Sequence, residues 1–389
     1  MDVISLIREA NLRKASDLHL CVSTPPYLRV NGVIRPLETA QPLVAEDVYQ
    51  ALEQIASEKE RQEFRENLEL DFGFTVEDLV RVRCNAALER GTLSLSLRLI
   101  PTVIPSLEEL NLPEVCKDLA RKPRGMLVIS GPTGSGKSTT IAAMIEYLNQ
   151  NESLRIVTIE DPIEYVFSND QCVVIQRELG HDTFSFVQAL KHVLRHDPDV
   201  VIIGEMRDVD TVSAALTVAE TGHLVLTTGH APSASQAVER IIDLFPINER
   251  ALAQTRLANL MVGILCQTLV PTIDATGRVP AVEIMMANPA IRSLIREGKI
   301  HQLPNAIRTY NNVGMCLMDQ ALVELYVGDL ISGKSLLAYC NDQTEVKKYC
   351  NSINVRLEAA ETQEDADLLT EETWHQSDDL FTERLLEDK

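Results

Sequence analysis

The chain has 389 residues, 45% of them hydrophobic, and a formal net charge of −21. That length allows two or three domains with sizeable cores, and the acid surplus speaks against a general binder of nucleic-acid backbones, whose affinity comes from clustered Lys and Arg; a local basic groove stays open. Eight cysteines are scattered with no CxxC pair, which indicates reduced thiols and neither a zinc ribbon nor a disulfide framework.

In chain order, residues 3–12 read as a short helix and 17–22 as a strand. Residues 27–37 read as a hairpin with Asn31-Gly32 as its type I′ turn. A helix is expected over 45–67. In 80–85, Val80, Val82 and Cys84 alternate with Arg81, Arg83 and Asn85. In 92–99 the leucines at 93, 95, 97 and 99 oppose Thr92, Ser94, Ser96 and Arg98, the period of two of half-buried strands. Residues 1–100 therefore form a small α+β domain, and Pro101 and Pro105 mark a linker over 101–112.

From 113 to 350 the pattern changes to buried strands at 126–130, 155–159, 200–203 and 224–227 separated by helices, as in a parallel-rich nucleotide-binding sheet. Residues 248–269, 289–297 and 315–326 read as helices. The segment 351–389 holds twelve Asp and Glu against three Lys and Arg, which predicts a disordered acidic tail. Trp374, Leu380, Phe381, Leu385 and Leu386 interrupt it and leave open a helix that docks on a partner. The N-terminus lacks a basic segment followed by a long apolar core, and no apolar run approaches the ~20 residues that span a bilayer, so a cytoplasmic protein without a transmembrane segment is expected.

The stretch GPTGSGKST at 131–139 carries the strongest chemical signal. Gly131, Pro132, Thr133, Gly134, Ser135 and Gly136 make a turn whose backbone N–H groups can point inward around a polyphosphate. Lys137 adds a point charge at the β- and γ-phosphates, Ser138 is placed to ligate magnesium, and Thr139 continues into the helix whose N-terminus faces the anion. Hydrolysis also needs a water-orienting carboxylate and neutralisation of the γ-phosphate. Glu205 follows the buried run VVII at a strand's carboxyl end, where acidic groups meet magnesium; Gly204 takes the slot where an aspartate is more usual. Glu160, Asp161 and Glu164 crowd a second strand end, where their repulsion calls for a cation or a water network, although Asp161 alone could cap a helix. His223 and His230 bracket the strand 224–228, each read equally as structural or as a phosphate donor. Arg83 and Arg98 project from the polar face of two pairing strands, either as a solvated charged face or as arginine fingers.

Taken in order, ASDLHL at 15–20, RVRCN at 81–85, LRLIP at 97–101, the phosphate loop, TIEDPIEY at 158–165, QRE at 176–178, DPDVVIIGEMRD at 197–208, AETGHLV at 219–225 and RIIDLFP at 240–246 resemble the type IV secretion and pilus motor ATPases, most closely the PilT-type retraction ATPases. The resemblance runs to about residue 340. It implies a PAS-like N-terminal domain, a RecA-like domain, and a homo-hexamer with ATP and Mg2+ at its interfaces. It implies Glu205 as the Walker B carboxylate and metal ligand with Ser138, Glu164 as the residue that polarises the attacking water, His230 as a γ-phosphate contact, and Arg83 and Arg98 as the arginines that engage nucleotide across the ring. A platform protein of the inner membrane, and through it pilin, are the implied partners, with the motor peripheral at the cytoplasmic face. AIRSLIREG at 290–298 resembles the retraction-associated AIRNLIRE motif with Ser293 in place of Asn, and reads also as an amphipathic helix with Ile291, Leu294 and Ile295 inward and Arg292, Arg296 and Glu297 solvated. Gly229 replaces the usual Leu before His230 and is expected to loosen it. An accessory retraction motor, an assembly or type II secretion ATPase, and a scaffold that senses nucleotide without turnover are the alternatives.

Overall fold

A computed structural model describes residues 2–30, 33–76, 79–100, 103–274 and 277–352. The Asn31-Gly32 turn, Pro101 and the tail residues Trp374, Leu380, Phe381, Leu385 and Leu386 lie outside them. By packing, the chain divides into two compact units. Of the described residues, one unit comprises those within 2–109, 114–127 and 138–228, the other those within 110–113, 128–137 and 229–352.

The first sheet is built from β1 (Asp17–Leu20), β2 (Tyr27–Val30), β3 (Val33–Pro36), β4 (Glu69–Val76), β5 (Val80–Glu89) and β6 (Thr92–Ile100). Its order is β3-β2-β1-β6-β5-β4, with every neighbouring pair antiparallel. Period-two patterning decides which face is covered: Val82, Cys84, Leu93, Leu95 and Leu97 are buried with Val3 and Ile7 of α1 (Val3–Leu12). The expected helix over 45–67 is two helices, α2 (Ala45–Ile55) and α3 (Glu58–Asn67). Ala56 is extended, and Ser57 Oγ accepts from Glu60 N while the Glu60 carboxylate accepts from Ser57 N at 2.6 Å, a capping box that starts a new helix. The strand β4 is not among the expected elements although its period of two is unbroken: Leu70, Phe72, Phe74 and Val76 alternate with Glu69, Asp71, Gly73 and Thr75, and Gly73 lowers the strand preference without shifting the faces.

The second sheet comprises β7 (Gly125–Ser130), β8 (Arg155–Glu160), β9 (Val173–Glu178), β10 (Val200–Glu205), β11 (Leu224–Thr228), β12 (Met261–Pro271) and β13 (Arg278–Met286), in the order β13-β12-β7-β11-β10-β8-β9. β9, β8, β10 and β11 run parallel to one another, so Glu178, Glu160, Glu205 and Thr228 end their strands along one edge. β12 and β13 are antiparallel. The helices are α4 (Val115–Ala120), α5 (Lys137–Asn151), α6 (Phe186–Val193), α7 (Val209–Glu220), α8 (Ala234–Asp243), α9 (Arg250–Leu260), α10 (Pro289–Arg296), α11 (Leu303–Thr309), α12 (Met318–Val327), α13 (Gly333–Tyr339) and α14 (Gln343–Ser352). The helix expected over 248–269 stops at Leu260 and the chain turns extended at Met261. The apolar run MVGILCQTLV is almost wholly buried, so it carries no periodicity, and pairing with β13 makes it a strand.

In the second unit the buried carboxylate of Glu283 on β13 accepts from Ala234 N at 2.6 Å and Met318 N at 3.2 Å, the first residues of α8 and α12. Two helix N-termini are thereby satisfied by one side chain, which their dipoles favour. Among the described residues no helix is long and apolar enough to cross a membrane.

Candidate active site

The loop from β7 into α5 has the left-handed backbone at Gly131, Gly134 and Gly136. Space demands glycine at two of them. A Cβ on Gly131 would overlap the Gln267 carbonyl, and one on Gly136 would lie 2.9 Å from Gln267 Nε2. Gln267 is 3% exposed on β12, and its Nε2 donates to Ser135 O at 2.8 Å, so a strand-borne amide forms the floor of the loop. Lys137 folds over the loop, its Nζ donating to Gly131 O at 2.8 Å and Pro132 O at 3.0 Å. Ser135 Oγ is buried with no hydrogen-bond partner in the structure. A buried hydroxyl left unbonded is costly, and a phosphate oxygen is the acceptor that such a cradle admits.

Ser138 and Thr139 follow in the first turn of α5, both half-buried. Thr139 Oγ1 lies 2.9 Å from the Tyr165 hydroxyl, which ties the helix start to the TIEDPIEY segment. In that segment the three carboxylates do not share one environment. Glu160 Oε1 accepts from Thr158 Oγ1 at 2.6 Å and Gln176 Nε2 at 3.1 Å; loss of solvent raises its carboxyl above the ordinary range, and nearby Glu164 adds to the rise. Asp161 and Glu164 are exposed. Asp161 caps none of the helices as described. Gln176 also donates to Tyr165 O at 2.7 Å and accepts from Phe167 N at 3.0 Å, so β9 grips the segment along its length.

Glu205 ends β10 after a register shift between Ile203 and Glu205, and Thr228 Oγ1 donates to Gly204 O across that irregularity. The Glu205 carboxylate is 23% exposed and meets Arg207 at 2.7 Å; the hydrogen bond and the charge of Glu205 raise the Arg207 pKa.

The two histidines separate. His223 lies before the amino end of β11, where Nδ1 is 3.0 Å from Thr221 Oγ1 and 3.2 Å from Val218 O, a structural tie to the end of α7. His230 follows the carboxyl end and is half-buried. The looseness expected from Gly229 is not found. Gly229 N donates to Ile129 O at 2.9 Å, Ser130 Oγ donates to Ala231 O at 2.7 Å, and a Cβ on Gly229 would press on Ser130 Oγ at 3.1 Å. Glycine here lets the segment lie close on β7.

Arg83 and Arg98 are cross-strand partners in register, both exposed. Their mutual repulsion is offset by carboxylates: Arg98 Nε is 3.0 Å from Asp17 Oδ1, and Arg83 is 4.0 Å from Asp71. On α10, Ile291 and Ile295 are buried and Leu294 is half-buried. Arg292, expected in solvent, instead donates NH1 to Ala258 O at 2.7 Å and Asn259 O at 2.5 Å, and Arg296 donates to Asn259 Oδ1 at 3.1 Å. Arg292 thus satisfies backbone carbonyls at the end of α9, the position where cations are favoured, and Arg296 holds the Asn259 side chain beside it; desolvation first, and then Arg296, lower the Arg292 pKa.

Gln267, Gln176 and Tyr165 are the supports that sequence reasoning missed as individual residues. Only Gln267 had a usable signal, a lone amide in an apolar run.

Comparison with known proteins agrees with this layout. The model of the type II/IV secretion system protein family matches residues 2–319. The type IV pilus retraction ATPase PilT of Pseudomonas aeruginosa is 43% identical over 332 residues, covering 85% of this chain and 96% of that one. The type IV pilus ATPase PilU of the same organism is 40% identical over 347 residues, covering 89% and 91%. A crystal structure of the pilus retraction motor PilT with bound ADP superposes with a TM-score of 0.83 at 42% identity, over 90% of this chain and 99% of that one.

Proposed function

Because the chain belongs to the type II/IV secretion system protein family of ATPases, we infer that it is a PilT-type motor that couples ATP hydrolysis to withdrawal of pilin subunits from a type IV pilus. The observation that carries this reading is the phosphate loop of β7 and α5, with its left-handed glycines, its lysine and its orphaned buried hydroxyl, in a chain similar to PilT over nearly all of PilT's length.

In this reading the N–H groups of 133–136 and Lys137 hold the β- and γ-phosphates, with Gly131, Pro132 and Thr139 shaping the loop and its exit. Magnesium characteristically takes one or two protein ligands and fills its shell with phosphate and water, which suits the Ser138 hydroxyl and the Glu205 carboxylate; when bound it neutralises charge on the phosphates. Glu164 polarises the attacking water and His230 donates to the terminal phosphate. Arg83 and Arg98 reach nucleotide held by a neighbouring copy in a homo-hexamer, and the alternation of bound and released nucleotide drives a platform protein at the inner face of the cytoplasmic membrane.

Glu205→Gln tests the assignment: ATP binding is retained while phosphate release falls by orders of magnitude. Wild-type turnover in that variant removes Glu205 from the mechanism. An accessory retraction motor stays the second reading, because similarity to two type IV pilus ATPases, 43% to PilT and 40% to PilU, does not fix the share of retraction that one motor carries. Single-pilus retraction in a deletion strain separates them: loss of all retraction identifies a principal motor, loss of force alone an accessory one.

A further inference from the structure

Along the polar face of β5, Arg83 and Asn85 address Asp71, whereas Arg81 does something different. Arg81 is 19% exposed, and its NH2 lies 2.5 Å from Oε2 of Glu178, a carboxylate 5% exposed at the end of β9. The adjacent strand β4 gives room for this contact, since a Cβ on Gly73 would stand 3.1 Å from Arg81 NH2 and 3.6 Å from Glu178 Oε1. The same Glu178 Oε2 accepts from Ile163 N at 3.2 Å. Ile163 immediately precedes Glu164, and the residue after Glu164, Tyr165, is held through its carbonyl by Gln176 and through its hydroxyl by Thr139 of α5. The backbone on both sides of Glu164 is thus hung on two side chains of β9, and one of them is secured by an arginine from the first sheet.

A buried carboxylate is stable in its charged form only when paired. Besides Arg81, the basic side chain nearest Glu178 among the described residues is His181, with Nε2 3.7 Å from Oε1, too long for a hydrogen bond. We propose that Arg81 is a positioning residue for hydrolysis: it keeps Glu178 in place on Ile163 N and so sets Glu164 against the start of α5. This rests on the reading of Glu164 as the group that polarises water. Without Arg81, Glu178 swings toward solvent and releases the Ile163 amide, so the position of the first sheet becomes an input to the hydrolytic step.

The test compares Arg81→Ala, Arg81→Ala with Glu178→Gln, and Glu164→Gln in the full chain, reading kcat and KM for ATP, binding of a fluorescent ATP analogue, and hydrogen exchange of the peptide spanning 158–167. Arg81→Ala is expected to lower kcat by about tenfold or more, the scale of a displaced general base, with analogue affinity within about threefold and faster exchange at Ile163. Adding Glu178→Gln removes the unpaired charge, keeps an oxygen for Ile163 N, and restores most of kcat and of the protection. If Arg81→Ala does not fold, Arg81→Lys, which keeps the charge and loses the fork, carries the same test with a smaller fall. Unchanged kcat and exchange in the arginine variant, or a second substitution that restores neither, overturns the proposal. Wild-type turnover in Glu164→Gln instead overturns the reading of Glu164 on which it rests.

Discussion

Replacing Gln267 by alanine probes whether the phosphate loop is held from the strand beside it. The amide donates to Ser135 O at 2.8 Å from a position 3% exposed, so its removal leaves a buried carbonyl without that donor. Leaving such a group unsatisfied costs about 1–3 kcal/mol. Where that cost falls on the closed, phosphate-holding form of the loop, it converts to about a fivefold to 150-fold loss of nucleotide affinity. Nucleotide titration by fluorescence anisotropy, with a thermal melt of the free protein, reads both parts of the effect. Gln267→Glu is the sharper control: it has nearly the same shape but turns an oxygen toward Ser135 O, and is expected to bind at least as poorly as the alanine variant. An alanine variant that binds ATP within twofold of wild type and melts at the same temperature would refute the reasoning.

Glu160→Gln should gain stability relative to wild type as pH rises. Its carboxyl is raised from 4.5 by desolvation, so between that value and the raised one the folded chain retains a proton that the unfolded chain has released, and stability falls through this window. Urea midpoints at about pH 4 and about pH 8 check the sign, and a constant difference contradicts it. Ser57→Ala removes the capping box between α2 and α3 and is expected to cost about 0.5–2 kcal/mol, read as a shift in denaturant midpoint at unchanged slope; no shift would mean that the break at Ala56 and Ser57 is set by packing alone.

The reach of the sequence differed from element to element for physical reasons. The bend of the phosphate loop was legible because left-handed glycines at 131, 134 and 136 are a local demand. The alternating faces of β5 and β6 were legible because one face is buried and the other is not. β12 was not, since a strand buried on both faces has the same apolar pattern as a buried helix, and only pairing with β13 decides. Arg81 and Arg83 are equivalent in the alternation and differ only in what stands opposite them, Glu178 in one case and Asp71 in the other. Arg292 read as solvated because helical periodicity says nothing of a neighbouring helix end whose carbonyls need donors.

The central claim is that ATP turnover at this loop withdraws a pilus, and it is tested most directly by watching single pili in cells whose own copy is replaced by Glu205→Gln. Pili that extend and never retract, with the purified variant still binding ATP and releasing no phosphate, are the predicted outcome. Retraction at wild-type speed in those cells would contradict the account.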